Sequence, residues 1–229
     1  MFASPGNTFI TGVAEIIKRL SPMTQHKSMF VNLDRIQCSI KDFSQYTPSN
    51  EVIWKSIRSV TLHCLTREFF WKSLFRVGDF WLHINTLEIR GQCHVCNVPE
   101  SLEHITLECD APGQRLIWNL MRQLWSKKYS QWPTLNWGLI LGCNLARFKS
   151  DQGAILPEKV RLFAILVSLA WHLIWNLRRG RVIETPDRIQ TNLVIHNQWL
   201  NTINAACQQS DTLGGRRKSG TFYQDEEVK

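Results

Sequence analysis

The sequence predicts a mostly α-helical protein with little or no β structure, built around one small loop rich in cysteine. Two observations carry this prediction. Apolar residues recur at three- and four-residue spacings over much of the 229-residue chain, which is the period of an amphipathic helix. Within residues 90–109, Cys93, Cys96, His104 and Cys109 follow the pattern C-x2-C-x7-H-x4-C.

Composition narrows the class of protein. Hydrophobic residues make up 44% and charged residues 20%, which is ordinary for a chain that buries a core. A net charge of +8 suits a polyanionic partner. The seven cysteines are odd in number, and no basic segment followed by an apolar run opens the chain. We therefore expect a reducing, intracellular location, nuclear or cytoplasmic, rather than a secreted disulfide scaffold.

The first half of the chain divides into two predicted parts. Residues 1–50 are poorly patterned and suggest the severed edge of a larger domain, although Leu33, Ile36 and Ile40 indicate a helix over 31–43. Residues 51–128 are predicted to form a helical domain that encloses the cysteine loop. Its apolar stripes are Ile53, Trp54, Ile57, Leu65, Phe69, Phe70, Leu74, Phe75, Phe80, Trp81 and Ile84, then Leu116, Leu120, Met121, Leu124 and Trp125 after a helix start near Pro112.

Residues 129–207 are predicted to form a C-terminal helical region. Its longest helix covers 157–183 and begins at Pro157. The apolar run 162–177 is shorter than the roughly 20 residues that span a bilayer and contains His172, which favours a buried core helix and no membrane.

The chain is predicted to end with one more helix and a tail. Thr185, Pro186 and Asp187 form a start signal for a helix. Its apolar face is Ile189, Leu193, Trp199, Leu200 and Ile203. Residues 208–229 are polar and charged, and we predict a disordered tail there.

The cysteine loop has the composition of a structural zinc site. Cys93 and Cys96 can bind one ion from a tight turn, and His104 and Cys109 can approach it from a short helix. Three thiolates and one imidazole close a tetrahedral site for one Zn²⁺ and leave no position for a catalytic water. His94 lies between the two cysteines, where we expect its side chain to face away from the ion.

Two other interpretations of the cysteines stay open at this point. A Cys-x2-Cys pair can be a redox dithiol, but such pairs usually precede a helix, and here Asn97, Val98 and Pro99 indicate a loop. The four residues could also be unrelated buried side chains, since free cysteine is commonly buried.

Several of these segments together resemble the reverse-transcriptase zinc-binding domain, found downstream of the ribonuclease H region in polyproteins of LINE-type, non-LTR retrotransposons. The resemblance covers about residues 51–126 and, more loosely, 173–178 and the segment around Trp199. The matching segments are Phe69-Phe70-Trp71-Lys72, Arg76-Val77-Gly78-Asp79-Phe80-Trp81, Cys93 with Cys96, Glu100-Ser101-Leu102-Glu103-His104-Ile105 with Cys109, and Trp118.

The resemblance implies a zinc-stabilised module that helps the polyprotein bind RNA or DNA. The zinc ligands of the family correspond to Cys93, Cys96, His104 and Cys109. No paired-aspartate polymerase motif and no carboxylate set for a two-metal nuclease is present, so we expect no catalysis by this chain. It is expected to be a detached C-terminal piece of such a polyprotein.

Basic residues suggest where nucleic acid would bind, weakly and without sequence preference. Arg178, Arg179, Arg181 and Arg188 cluster near a predicted helix junction. Alternatively, these arginines only solvate helix ends and cap carbonyls. The alternative function is a protein-interaction or docking module for the upstream reverse transcriptase and ribonuclease H domains, or an inactive remnant of the polyprotein.

Overall fold

The structure is a computed structural model that describes residues 22–75, 92–184 and 190–218. Within these ranges the chain is mostly helical and has no strand beyond two isolated bridges, as predicted. The helices are α1 (Pro22–Ser44), α2 (Asn50–Ile57), α3 (Cys64–Leu74), α4 (Gln114–Ser126), α5 (Trp137–Leu141), α6 (Pro157–Arg179) and α7 (Asn192–Lys218). Two π-helical turns, His104–Glu108 and Gly180–Glu184, and a 3-10 turn, Cys143–Leu145, complete the described structure.

Helix α6 forms the centre of the core. Its Trp171 is fully buried, with its ring centroid 4.5 Å from that of Phe69, 4.6 Å from Phe70 and 5.3 Å from Trp137. In the described part of the chain, the run Pro157–Val182 alone is long and apolar enough to cross a membrane, and more than half of it is buried inside the protein. The prediction of a buried core helix is confirmed.

A single hydrophobic core extends from Leu33 on α1 to Trp199 on α7. It includes a second aromatic group in which Phe163 of α6 packs against Trp125 and Phe148, at centroid distances of 6.0 and 5.3 Å. The segments 51–128 and 129–207, which the sequence divides, thus contribute side chains to the same core.

Helix α1 is longer than predicted and belongs to this core. It begins at Pro22, where the ring suits a first helical turn, nine residues before the predicted start at 31. Leu33, Ile36 and Ile40 are buried as expected. Residues 22–44 therefore form a helix that contributes to the core, although the sequence pattern of this segment is weak.

The stripe predicted after residue 51 is divided between α2 and α3. His63 caps α3, because its Nδ1 accepts a hydrogen bond from the amide of Leu65 at 3.2 Å. Ile53, Ile57, Phe70 and Leu74 are buried, but Leu65 is 56% exposed, since the first turn of α3 lies at the surface. The continuation of the stripe at Phe80, Trp81 and Ile84 lies outside the described residues.

Helix α7 packs through a face that only partly matches the predicted one, since Trp199 and Ile203 pack on the core as expected. Ile195 and Trp199, one turn apart, are buried, whereas Leu193 is 70% exposed and Leu200 is 38% exposed. The helix also continues to Lys218, so residues 208–218 are helical instead of belonging to the predicted tail. Its polar residues extend a helix that Ile195 and Trp199 already anchor. The start signal at 185–187, Ile189, and residues 219–229 lie outside the described structure.

Candidate metal centre

The first two cysteines lie in a tight turn closed by backbone hydrogen bonds. The amide of Asn97 donates to the carbonyl of Cys93 at 2.7 Å, and the amide of Cys93 donates to the carbonyl of Val98 at 2.9 Å. Asn97 has a φ of 55°, a left-handed conformation that asparagine tolerates better than most residues. Gln92 and Pro99 form a single bridge at the open end. This turn holds the thiols of Cys93 and Cys96 on the same side.

The other two residues are brought together by a π-helical turn. In an α-helix, residues five apart point about 140° away from each other, so His104 and Cys109 would not share a face. The chain instead widens into a π-helix over His104–Glu108, and the amide of Cys109 donates to the carbonyl of His104 at 2.8 Å. The predicted short helix is therefore confirmed in a wider form, which the shared site requires.

Helix α4 stabilises the π-turn through one carbonyl. The Thr106 carbonyl accepts hydrogen bonds from Gln114 Nε2 at 2.9 Å and from Trp118 Nε1 at 2.8 Å. All three residues are buried. Because a buried carbonyl without a partner is costly, these two donors make the π-turn compatible with the core.

The four predicted ligands converge on one point. Their ligand atoms all lie within 4.8 Å of one another. The Sγ atom of Cys109 is 3.6 Å from that of Cys93 and 3.9 Å from that of Cys96. A disulfide would require about 2.05 Å, so these are three separate thiols surrounding a common centre. The arrangement is that of a four-coordinate metal site.

The electrostatics of the sulfurs favour a cation. Burial raises the pKa of Cys93, but the neighbouring His104 ring and the amides of Cys96 and Val95 outweigh it and lower that pKa to about 7. Burial raises the pKa of Cys109 to about 12. Three thiols this close cannot all ionise unaided, because each thiolate opposes the next. A bound metal ion removes that conflict and deprotonates its thiol ligands outright.

Backbone amides also point at the sulfurs. The amide of Asp110 donates to Cys96 Sγ at 3.3 Å, and the amide of Ala111 donates to Cys109 Sγ at 3.4 Å. Such bonds stabilise negative charge on sulfur. The bond from Asp110 to Cys96 also connects the end of the π-turn to the cysteine turn, so the two halves of the site form one unit.

His104 is the histidine of the site, and His94 is not. The His104 ring is buried, and its Nε2 atom has no hydrogen-bond partner, which is costly unless the atom binds a metal. Its other nitrogen, Nδ1, lies 3.6 Å from the Glu108 carboxylate, the kind of partner that orients metal-binding histidines. His94 is exposed, as predicted from its place between the cysteines. Chance burial of four unrelated residues does not account for the orphaned Nε2 atom.

A buried ion pair joins this site to α6, and no motif in the sequence predicts it. Arg178 and Glu100 form a two-pronged pair, with Arg178 Nε donating to Glu100 Oε1 at 3.1 Å and Nη2 donating to Oε2. Both side chains are only 4% exposed. Arg178 is therefore not available to a phosphate, and its prediction as a nucleic-acid contact is withdrawn. The Glu100 carboxylate neutralises it inside the protein.

The other predicted nucleic-acid residues within the described structure lie nearer to the surface than Arg178, although Arg181 lines the same small cavity. Arg179 is exposed, and Arg181 is half-buried beside a small cavity that Cys109 and Pro112 also line. Arg188 lies outside the described residues. The end of α6 thus carries one structural arginine and two that lie nearer to the surface.

Comparison with known proteins adds no family assignment. No protein-family model, no curated protein and no solved structure matches this chain. The resemblance to the reverse-transcriptase zinc-binding domain rests on the sequence motifs alone.

Proposed function

We propose that this protein is a non-catalytic, zinc-stabilised module of a retrotransposon reverse-transcriptase polyprotein, and that it contributes to non-specific binding of RNA or DNA. The observation that carries the proposal is the convergence of Cys93, Cys96, His104 and Cys109 on one centre. Four protein ligands fill the coordination shell of a tetrahedral ion, so the metal is structural and has no open position for substrate.

The geometry favours zinc among the candidate metals. Zn–S bonds of about 2.3 Å at tetrahedral angles place two sulfurs about 3.8 Å apart. The distances from Cys109 Sγ to the Sγ atoms of Cys93 and Cys96 are 3.6 and 3.9 Å. A mixed set of thiolates and imidazole is also typical of zinc rather than of calcium or magnesium, which prefer oxygen.

The ion would stabilise a loop that has little hydrophobic core of its own. Cys93, Cys109 and Ala111 form a small buried cluster that is separate from the main hydrophobic core. Such a cluster is too small to hold a loop by hydrophobic burial alone. Zinc would fasten this loop, while the Glu100–Arg178 pair and the π-turn connect it to α6 and α4.

Metal analysis of the purified chain tests this proposal. We expect one zinc per chain and a fall in the thermal midpoint when a strong chelator removes it, because metal binding and folding are linked. Restoring zinc should restore the midpoint. A chain that carries no zinc after growth in zinc-supplemented medium, or a midpoint that chelation leaves unchanged, would refute the proposal.

The alternative, a docking module for upstream polyprotein domains, draws support from exposed apolar side chains. Phe30 and Val31 on α1 are each 52% exposed, and Trp71 on α3 is 46% exposed. An apolar docking face predicts binding to those domains that hardly changes with ionic strength, whereas nucleic-acid binding should weaken steeply as salt rises.

A further inference from the structure

A basic groove lies at a distance in sequence from the metal ligands, between α2, α3 and the start of α6. Its wider part is an open groove of about 520 Å³ that contains Tyr46 and Arg147. A recess of about 190 Å³ adjoins it, lined by His63 and Arg67. Thr61 and Arg161 line both parts, so the two adjoin at these residues. We call the two parts together the Arg161 groove.

The charge of the Arg161 groove is one-sided. Arg67, Arg147 and Arg161 contribute guanidinium groups, and no aspartate or glutamate is among the lining residues. Within the described residues, none of these three arginines forms a salt bridge, whereas the lining Lys55 is paired with Glu51 at 2.7 Å. Three guanidiniums without counter-charges create a positive potential that an anionic ligand would neutralise. The first residues of α3 and α6, Cys64 and Pro157, also line the groove and add their positive helix ends.

The groove also offers a stacking surface. The Arg147 guanidinium lies over the Tyr46 ring, 3.2 Å from its centroid, and both residues are half-buried. A guanidinium held flat by an aromatic ring is preorganised for phosphate contacts and for stacking on a base. Apolar surface is available beside it, because Ile155 is 49% exposed, and Val60, in the recess, is 72% exposed.

From these features we infer that the Arg161 groove binds the backbone and bases of a single-stranded nucleic acid. The arginines contact phosphates, and the Tyr46–Arg147 stack receives a base face. A duplex hides its base faces inside the helix, and an acidic peptide has no face to stack, so both use only part of this surface. This inference rests on the nucleic-acid part of the proposed function and assigns it a location other than the end of α6.

The test compares two double variants that remove equal charge. Arg147→Gln with Arg161→Gln alters the groove, and Arg122→Gln with Lys127→Gln alters exposed residues in α4 and at its C-terminal end that do not line it. Binding of a fluorescent oligouridylate is measured over a range of salt concentrations. The groove variant should lose at least tenfold in affinity, and its salt slope should fall by about 1.4, since each single-strand phosphate contact contributes about 0.7. The control should bind like the parent.

A single variant guards against misfolding of the double one. Arg161 is exposed, so Arg161→Gln should leave the thermal midpoint unchanged and lower the salt slope by about 0.7. Equal losses of affinity in the groove variant and the α4 control, or an unchanged slope in Arg161→Gln, would overturn the location.

A cysteine footprint gives a second readout without mutation. Cys64 is an exposed thiol in the recess, and Cys38 is an exposed thiol on α1 that does not line the groove. Saturating oligouridylate should slow alkylation of Cys64 and leave that of Cys38 unchanged. Alkylation of Cys64 at the same rate with and without oligouridylate would contradict the inference.

Competition experiments distinguish the classes of ligand. They also distinguish failure of this inference from failure of the proposed function. Polyglutamate or duplex RNA that displaces oligouridylate at equal charge concentration would overturn the single-strand assignment. A zinc-loaded parent that binds no oligouridylate would overturn both this inference and nucleic-acid binding, but not the zinc site. Oligouridylate binding that is insensitive to Arg147 and Arg161 would overturn the groove alone.

Discussion

Arg178 shows how one residue can change its role with its surroundings. At the end of an apolar helix, a basic residue is expected to interact with the helix dipole and solvent. Here the guanidinium is turned inward, its centre 5.6 Å from the Trp175 ring, and paired with Glu100. The Glu100–Arg178 pair therefore links the metal loop to the central helix.

We expect Arg178→Ala to destabilise the protein strongly. Removing one partner of a buried ion pair leaves the other charge uncompensated, which costs about 3–5 kcal/mol. Arg115→Ala is the control, because its pair with Asp110 is exposed and such pairs contribute at most about 1 kcal/mol. Urea unfolding of the two variants checks this. Similar midpoints for both would show that the pair is not important for stability.

His172 should make stability depend on pH. Burial lowers the pKa of this α6 histidine, and the charges of His63 and Arg179 lower it further. The unfolded chain therefore takes up the proton first. The stability that neutral His172 contributes is complete above the unfolded pKa of about 6.5 and is lost as pH falls toward the lower folded value. Between pH 7.5 and about 5, His172→Gln should lose less stability than the parent. If the urea midpoints of the parent and of His172→Gln fell in parallel as pH decreased, the proposed effect of His172 would be wrong.

At the scale of elements, the close contact between α5 and α1 depends on a glycine. Gly138 of α5 lies against α1 so closely that an added Cβ atom would be 2.2 Å from the Arg35 carbonyl oxygen. This carbonyl belongs to the backbone of α1 and cannot move aside as a flexible side chain can. Helix α5 ends at its C-cap Gly142, and no spacing of residues in the sequence distinguishes Gly138.

Gly138→Ala should therefore destabilise the protein by about 1–3 kcal/mol or more, the cost of overpacking a core. Gly180→Ala is the matched control, since its nearest atom would be Gln190 Nε2 at 3.5 Å and its φ of −57° is helical. That change should be neutral or slightly stabilising. Thermal midpoints decide the matter, and equal effects of the two substitutions would contradict the packing of α5 on α1.

The elements show which parts of the fold are visible in sequence. The sequence predicts the bounds of α4 and α6 to within a few residues. The spacing of apolar residues and a Pro or Gly at the helix start are local signals that do not depend on the rest of the fold. The faces of α3 and α7 were less predictable. Leu65 and Leu193 fit an apolar stripe but lie at the surface, while Ile195 is fully buried. Which of several apolar residues faces the core depends on how helices cross, and spacing does not encode this.

The metal site was predicted at the level of its ligands and not of its surroundings. Cys93, Cys96, His104 and Cys109 could be identified because ligand chemistry requires those residue types at short spacings. The π-turn and the Glu100–Arg178 pair could not, since both depend on contacts with α4 and α6 that are distant in sequence. The burial of Arg178 at the end of α6 could not be predicted for the same reason, because its partner Glu100 is distant in sequence.

At the scale of the whole molecule, stability should be divided between a metal-held loop and an independent core. The hydrophobic core from Leu33 to Trp199 does not include the cysteines of the site. Removing the metal should therefore open the loop first and leave the core formed. Local openings of this kind have lower free energies than global unfolding.

Hydrogen exchange with and without chelator measures this division. The amides of Cys93, Asn97 and Cys109, which close the two halves of the site, should exchange faster after chelation. Amides in the middle of α6 should stay protected at the parent rate. Uniform acceleration across the chain would show that the metal supports the whole fold rather than the loop.

The central claim is that His104, and not His94, completes a four-ligand zinc site with the three cysteines. The most direct measurement is the zinc content of His104→Ala and His94→Ala, side by side, in a competing chelator that the parent withstands. We predict that His94→Ala retains one zinc per chain and that His104→Ala loses it, because the buried His104 ring brings a nitrogen within 4.8 Å of the three thiols, whereas His94 is exposed. Retention of zinc by His104→Ala, or loss of zinc by His94→Ala, would contradict the account.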